Sequence, residues 1–264
     1  MKKAKVAGTE LAYEVAGEGP AVVFLHAFPL GLFMWEAEAK ALAPSHTVVR
    51  FDDRGFGGSP PGDGLLSMER IADDAAALMD HLGLSQAVVA GCSMGGYAAL
   101  AFARRHQDRL KGLVLQDTKA GADSEEARAN RAVLADKVRK EGPAAAAEAF
   151  VPKLLGETTK REQPHLVDRV REAILRTSAR GIVDALAGLA ARADSTPSLR
   201  EIHVPALVVC GEEDSITPVA DSETLHRGIA KSRLVVVPRA GHLSNLEQPT
   251  AYDQALAGFL ADLR

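Results

Sequence analysis

Gly91-Cys92-Ser93-Met94-Gly95-Gly96 places one serine hydroxyl between glycines at −2 and +2. Before it, Ala87-Val88-Val89-Ala90 is a short apolar run that reads as a buried strand. After it, Tyr97 to His106 is rich in Ala and Leu and reads as a helix. G-x-S-x-G between a strand and a helix is the signature of a nucleophile elbow, a sharp, strained turn that holds the hydroxyl clear of the sheet edge. Its glycines let strand and helix approach closely. The pentapeptide alone is short and degenerate. Its chemistry therefore depends on whether an acid and a base follow at the ends of later strands.

Both are present. Asp214 lies in Gly211-Glu212-Glu213-Asp214, just past the apolar run from Pro205. His242 lies in Ala240-Gly241-His242, just past Arg233 to Pro238. In a parallel sheet the loops leaving the strands' C-terminal ends converge on one edge. The order Ser, Asp, His is the one expected for this elbow. A serine hydroxyl attacks only when a base takes its proton. His242 Nε2 is the expected base, and Asp214 is expected to hold the other ring nitrogen and stabilise the imidazolium. Asp117, after Leu110 to Leu115, is a second candidate acid, but position and order favour Asp214. A tetrahedral intermediate also needs N–H donors. Met94, next to the nucleophile, supplies one, and Phe28 in His26-Ala27-Phe28-Pro29 supplies the other, since Pro29 has no N–H. His26, Phe28, Trp35 and Met94 are candidate pocket walls. Trp35, the single tryptophan, reads more readily as core packing than as a substrate-stacking ring.

The elements that must position these residues alternate. Residues 4–18 read as a hairpin turning at Gly8-Thr9. Ala21 to Leu25 and Thr47 to Phe51 read as strands, with a helix from Trp35 to Ala43 between them. Ser67 to Leu82 has a helical start signal, apolar residues on one face and Gly83 as a stop. After the elbow helix comes the strand Leu110 to Leu115. From Thr118 to Arg200 no strand-like run appears. Ser124 to Glu141, Pro143 to Leu155, Pro164 to Thr177 and Gly181 to Ala193 read as amphipathic helices. The αβ rhythm then resumes with strands from Pro205 and Arg233 and helices over Val219 to Ala230 and Gln248 to Leu263. This pattern predicts an α/β fold with a parallel, doubly wound sheet. Residues 1–117 and 201–264 form its core, and residues 118–200 form an all-helical cap over the ligand crevice.

The chain has 264 residues, 47% hydrophobic, with a formal charge of −4, which gives a sizeable core and no basic footprint for nucleic acid or anionic lipid. Cys92 and Cys210 each end a buried strand and read as small packing residues in a reducing compartment. Met1-Lys2-Lys3-Ala4-Lys5 has no apolar stretch behind it, and no run approaches the ~20 residues of a membrane span. A cytoplasmic location is expected. The glycine-rich loop Asp53-Arg54-Gly55-Phe56-Gly57-Gly58-Ser59 does not open into a helix, because Pro60-Pro61-Gly62-Asp63-Gly64 intervenes, so it is not a dinucleotide loop. No H-E-x-x-H occurs, and no metal or cofactor is expected.

Taken together, His26-Ala27-Phe28-Pro29, residues 53–59, Gly91 to Gly96, Gly211 to Asp214 with Pro218, and Gly241-His242 with Glu247 and Pro249 resemble the α/β-hydrolase fold family. Within it the chain is most similar to lidded bacterial esterases, 3-oxoadipate enol-lactonase-like hydrolases and cofactor-free haloperoxidases. The resemblance implies a mostly parallel eight-stranded sheet with helices on both faces. It also implies hydrolysis of small carboxylic esters or lactones through an acyl-enzyme, without metal or organic cofactor. A serine at the elbow separates the chain from haloalkane dehalogenases and epoxide hydrolases, which carry aspartate there. One departure is Ala27, where the family usually has glycine; its Cβ is expected to shift the Phe28 amide or narrow the acyl pocket. C–C bond hydrolysis, acyl transfer, perhydrolysis and a triad-retaining ligand-binding or signalling role stay open, as does the choice between monomer and homo-oligomer.

Overall fold

Unbroken runs of Val, Ala and Leu build the centre of the sheet, since a strand covered by helices on both faces has no wet side to alternate toward. In the computed structural model, which describes residues 1–263, β3 (Ala21–Leu25), β5 (Ala87–Cys92) and β7 (Ala206–Gly211) are buried at every position. With β1 (Lys2–Val6), β2 (Thr9–Ala16), β4 (Thr47–Phe51), β6 (Leu110–Gln116) and β8 (Ser232–Val237) they form an eight-stranded sheet in the order β1-β2-β4-β3-β5-β6-β7-β8. β2 is antiparallel to both of its neighbours, and every pairing from β4 to β8 is parallel.

Helices cover both faces. α1 (Glu36–Leu42) packs beside the C-terminal helix, and α2 (Met68–His81) packs beside α3 (Met94–Arg105). Ser67 caps α2 by accepting the Arg70 N–H at 3.1 Å, as its start signal implies. Three local expectations shift. The first hairpin turns at Ala7-Gly8, both with positive φ (47° and 76°), so Thr9 already belongs to β2. A 3-10 turn over Leu32–Trp35 precedes α1, so that helix begins one residue later than expected. α3 starts at Met94 rather than Tyr97; Gly95 and Gly96, poor helix formers, hid its first turn.

Between β6 and β7 the described chain has no strand. It forms α4 (Glu125–Glu141), α5 (Pro143–Leu154), α6 (Glu157–Glu162), α7 (Pro164–Leu175) and α8 (Ala179–Ala191). The short polar α6 escaped sequence reading. α4 packs on α8 and α5 along one face, burying Ala135 and Val138 and half-burying Ala127, Arg131 and Leu134, while its other positions are exposed. α8 is the helix seated on the core. A Cβ on Gly188 would lie 1.7 Å from the Leu66 carbonyl oxygen, and one on Gly181 would lie 2.1 Å from that of Gly55. The Leu66 N–H also donates to Asp184 O at 2.9 Å. After β7 come α9 (Val219–Gly228), the short α10 (Ser244–Glu247) and α11 (Pro249–Ala261), the C-terminal helix beside α1.

The β5–α3 junction has almost no spare volume. A Cβ on Gly91 would fall 2.1 Å from the Gly95 carbonyl oxygen, and a Cβ on Gly95 would fall 2.2 Å from that of Leu25. Gly95→Ala is therefore expected to destabilise the fold. Alanine gains about 1 kcal/mol of helix propensity, but a methyl pushed into rigid backbone costs about 1–3 kcal/mol or more. A melting temperature several degrees below wild type is expected in thermal denaturation; one at or above wild type contradicts the close approach.

Candidate active site

Four loops leave the C-terminal ends of β3, β5, β7 and β8 and carry Phe28, Ser93, Asp214 and His242 to one edge of the sheet. Ser93 sits at φ 53° and ψ −111°, left-handed backbone that a side-chain-bearing residue rarely adopts. It is held from three directions. Its N–H donates to Gln116 O at 2.9 Å, and its carbonyl accepts from Tyr97 N–H at 3.0 Å and Thr118 Oγ1 at 2.9 Å.

Ser93 Oγ lies 2.8 Å from His242 Nε2, and His242 Nδ1 lies 2.8 Å from Asp214 Oδ2. A carboxylate only accepts, so Nδ1 carries the proton and Nε2 presents its lone pair to the serine hydroxyl. Asp214 is itself fixed: Oδ1 accepts from the N–H groups of Ile216 (2.8 Å) and Thr217 (3.0 Å), and Oδ2 accepts from Thr217 Oγ1 (2.7 Å). Burial opposes ionisation of Asp214, yet the His242 imidazole and the Thr217 donors hold its carboxyl below the usual carboxylate range. Burial likewise disfavours the imidazolium of His242, but the Asp214 carboxylate outweighs it and raises His242 above its ordinary 6.5.

Asp117, the competing acid, does not reach the imidazole. It is spent on structure: Oδ1 accepts from Gly211 N–H (2.8 Å), and Oδ2 from Ser244 N–H (3.0 Å), Ser244 Oγ (2.7 Å) and Gln116 Nε2 (3.0 Å). Burial, reinforced by the charge of Asp214, pushes it up to about 6. Cys92 is buried, and its thiol, raised well above its ordinary value by burial, faces the His242 carbonyl at 3.8 Å.

Among the described residues neither Phe28 N–H nor Met94 N–H donates to a protein acceptor. The neighbouring amides of the β3 loop are occupied: Ala27 N–H meets Met34 Sδ at 3.2 Å, and Leu30 N–H donates to Ala27 O. Phe28 and Met94 are the residues whose amides the sequence pointed to as oxyanion donors. Ala27 is fully buried and does not line the cavity at Ser93, so its methyl does not narrow that space.

Ser93, His242, Phe28 and Met94 border a cavity of about 40 Å³, closed by Tyr97 and Ile216 from the core and by Arg131, Phe150, Leu154 and Leu189 from the helical insertion. Two expected wall residues are not there. Trp35 is fully buried, its ring 4.7 Å from that of Phe24 and 6.4 Å from that of Tyr252, inside the core. His26 is turned into the following loop: Nδ1 faces Ala27 O (3.0 Å), Nε2 accepts from Asp53 N–H (3.0 Å), and its ring centroid is 5.2 Å from that of Phe56. Both are satisfied by neighbours inside the fold, which removes them from the wall. A larger cleft of about 480 Å³, lined by Leu30 to Phe33, Asp52 and α7, includes none of Ser93, Asp214 or His242 and has no nucleophile–base pair.

The residues that sequence reading missed come from the insertion and from the loops tying it down. Glu247, fully buried, accepts Gly156 N–H through Oε2 (2.8 Å) and Gly241 N–H through Oε1 (2.9 Å), joining the insertion to the His242 loop. Glu213, beside the acid, accepts from Thr158 N–H at 2.8 Å. Glu247 carried a signal, since it stands five residues after His242 in a motif already singled out; Arg131, Phe150 and Leu189 carried none. No group of three metal-ligating side chains converges among the described residues, and no described helix is long and apolar enough to cross a membrane.

The family model described as alpha/beta hydrolase fold matches residues 20–249. The chain is 31% identical over 248 residues to 3-oxoadipate enol-lactonase 2 of Acinetobacter baylyi, an alignment covering 93% of this chain and 91% of that protein. Its fold superimposes on a thermophilic esterase from Thermogutta terrifontis at a TM-score of 0.97, with 42% identity over 100% of this chain and 99% of the other. For the enol-lactonase from Burkholderia xenovorans the TM-score is 0.92, with 33% identity over 98% and 100%. The chain belongs to the alpha/beta hydrolase fold family.

Proposed function

We propose that this protein hydrolyses small carboxylic esters or lactones through an acyl-enzyme, with Ser93 as nucleophile, His242 as general base and then acid, and Asp214 as the group that orients and stabilises the imidazolium. The observation that carries the reading is the continuous chain Ser93 Oγ–His242 Nε2–Asp214, with 2.8 Å at both links. The esterase and enol-lactonase among its relatives support the same chemistry.

Each step has a group to perform it. His242 Nε2 takes the hydroxyl proton as Ser93 Oγ attacks the carbonyl carbon, and the developing oxyanion is met by the unpaired N–H groups of Met94 and Phe28. The imidazolium returns its proton to the leaving alkoxide. A water, deprotonated by the same nitrogen, then attacks the acyl-enzyme and frees the acid. Residues 118–200 act as the cap. Phe150, Leu154 and Leu189 exclude water, which strengthens every polar interaction inside. The small cavity favours short acyl groups.

The test is hydrolysis of p-nitrophenyl esters from acetate to decanoate by wild type and Ser93→Ala. Wild type is expected to peak at short chains, and a folded Ser93→Ala to lose on the order of 10³-fold or more in kcat. Equal rates in the two proteins defeat the mechanism. Negligible turnover by both favours a ligand-binding role.

The pH profile follows from the site's electrostatics. His242 must be neutral to act as base, and Asp214 raises it above 6.5. Activity is therefore lost as pH falls through that raised value, and the acid limb of kcat/KM has its midpoint above 6.5. Asp214→Asn removes the charge that favours the imidazolium. Its limb is expected at lower pH than wild type, with kcat reduced by orders of magnitude as the wrong tautomer is populated. A limb that does not move contradicts the pairing.

A further inference from the structure

An amide that meets an oxyanion must keep its N–H free of protein acceptors, yet be held within about 0.5 Å of the productive geometry. The β3 loop by itself does little to hold Phe28. Pro29 has no N–H, and among the described residues neither the Phe28 N–H nor the Phe28 carbonyl has a hydrogen-bond partner. The backbone of Phe28-Pro29 makes one hydrogen bond there, and its partner is not in the sheet core. Thr177 Oγ1, at the turn between α7 and α8, donates to the Pro29 carbonyl at 3.1 Å. The same hydroxyl lies 3.2 Å from Ala173 O in α7. Thr177 and Pro29 are both buried, so removing the hydroxyl leaves a carbonyl without a partner inside the protein.

The Phe28 ring is gripped from both layers. On the core side the Phe56 ring stands 6.3 Å away at 74°. On the insertion side the Phe150 ring of α5 stands 5.2 Å away, also at 74°. Both are the edge-to-face arrangement that aromatic pairs favour. The two sides are joined behind the ring. Phe56 follows Gly55, whose carbonyl is the contact against which Gly181 of α8 is seated. Gly181 lies in the first turn of α8, just after Thr177. Thr177 thus stands on the part of the insertion that packs backbone to backbone on the core, fixed relative to the loop that carries Phe56.

We propose that Thr177 is a positioning residue for the oxyanion hole: through the Pro29 carbonyl, and with Phe150 against the Phe28 ring, the insertion holds the Phe28 N–H where charge develops on the substrate oxygen. This rests on the serine-hydrolase reading above and deepens it, since the insertion then completes the hole as well as enclosing the cavity. An oxyanion donor interacts most strongly in the transition state, so misplacing it lowers kcat and leaves KM little changed.

The experiment compares wild type with Thr177→Val, which keeps the shape and loses the hydroxyl, and Thr177→Ser, which keeps the hydroxyl. Two readouts are taken: kcat and KM on p-nitrophenyl acetate, and the inhibition constant of trifluoromethyl ethyl ketone. Ser93 Oγ adds to the carbonyl carbon of that ketone while His242 takes the hydroxyl proton, leaving a tetrahedral oxyanion, so its affinity reports on the hole. Thr177→Val is expected to lose about tenfold to a hundredfold in kcat, the scale of a misplacement of about 1 Å, with KM little changed. Its affinity for the ketone is expected to fall by the same factor as kcat/KM. Thr177→Ser is expected to keep most of both. Unchanged kcat and ketone affinity in folded Thr177→Val, whatever its melting temperature, overturn the inference, because a merely structural threonine gives that result. So do a loss confined to KM and a loss that Thr177→Ser shares in full. Should Thr177→Val fail to fold, Phe150→Leu is measured in its place. Its kcat/KM and ketone affinity are expected to fall together, and a ketone affinity equal to wild type overturns the inference. If wild type hydrolyses the ester and Ser93→Ala does not, the serine-hydrolase reading stands even where the positioning fails. If wild type turns over no ester, both fall.

Discussion

The structure depends on ionising a buried carboxylate. Asp214 lies at the edge of the sheet core with its side chain out of water, where an unpaired charge would cost several kcal/mol. Its cost is offset by two backbone N–H groups, the Thr217 hydroxyl and the His242 imidazole, all within 3.0 Å. Those donors exist only if the loop after β7 turns back on itself at 214–217 and the loop after β8 brings His242 to the same point. Asp117 secures that arrangement from beneath, binding Gly211 at the end of β7 and Ser244 just after the base. The residue that the sequence offered as a rival to Asp214 is the one holding the Asp214 and His242 loops together.

Ser93 is the second strained element, and its strain is stored locally. Backbone outside the common regions costs on the order of 1–3 kcal/mol. It persists because β5, α3 and the ends of β3 and β6 leave it no alternative: Gly91 and Gly95 are in van der Waals contact with carbonyls, and Gln116 and Thr118 hold both sides of the serine peptide. The hydroxyl is thereby held 2.8 Å from His242 Nε2.

The helical insertion is tied to this frame rather than draped over it. Glu247 joins Gly156 to Gly241, Glu213 joins α6 to the acid loop, and α8 meets the glycine-rich loop at Gly55 and the segment before α2 at Leu66, backbone to backbone. That glycine-rich stretch has the composition of a phosphate cradle but serves as a seat, because only glycine lets Gly55 and Gly181 come so close. The buried pair behind it, His26 and Asp53, belongs to the same support. Asp53, pushed up to about 7 by burial, has no hydrogen bond to either carboxyl oxygen and contributes through its backbone N–H to His26.

The sequence by itself determined the strands, the elbow, the order Ser93, Asp214, His242 and the two free amides of Phe28 and Met94. Each of these rests on short-range chemistry: continuous apolar runs, glycine pairs, a proline that cannot donate, and loops that a parallel sheet must gather on one edge. Tertiary structure alone decided who lines the cavity. Trp35 and His26 sit near the right loop in sequence, yet their partners Phe24, Tyr252, Asp53 and Phe56 draw them inward. Arg131, Phe150, Leu154 and Leu189 lie on helices whose polarity pattern says only which face is wet. Where those helices settle is set by contacts between residues as distant as Gly188 and Leu66 or Glu247 and Gly156. No periodicity encodes such contacts, because they depend on two backbones fitting in space rather than on the spacing of side chains along one of them.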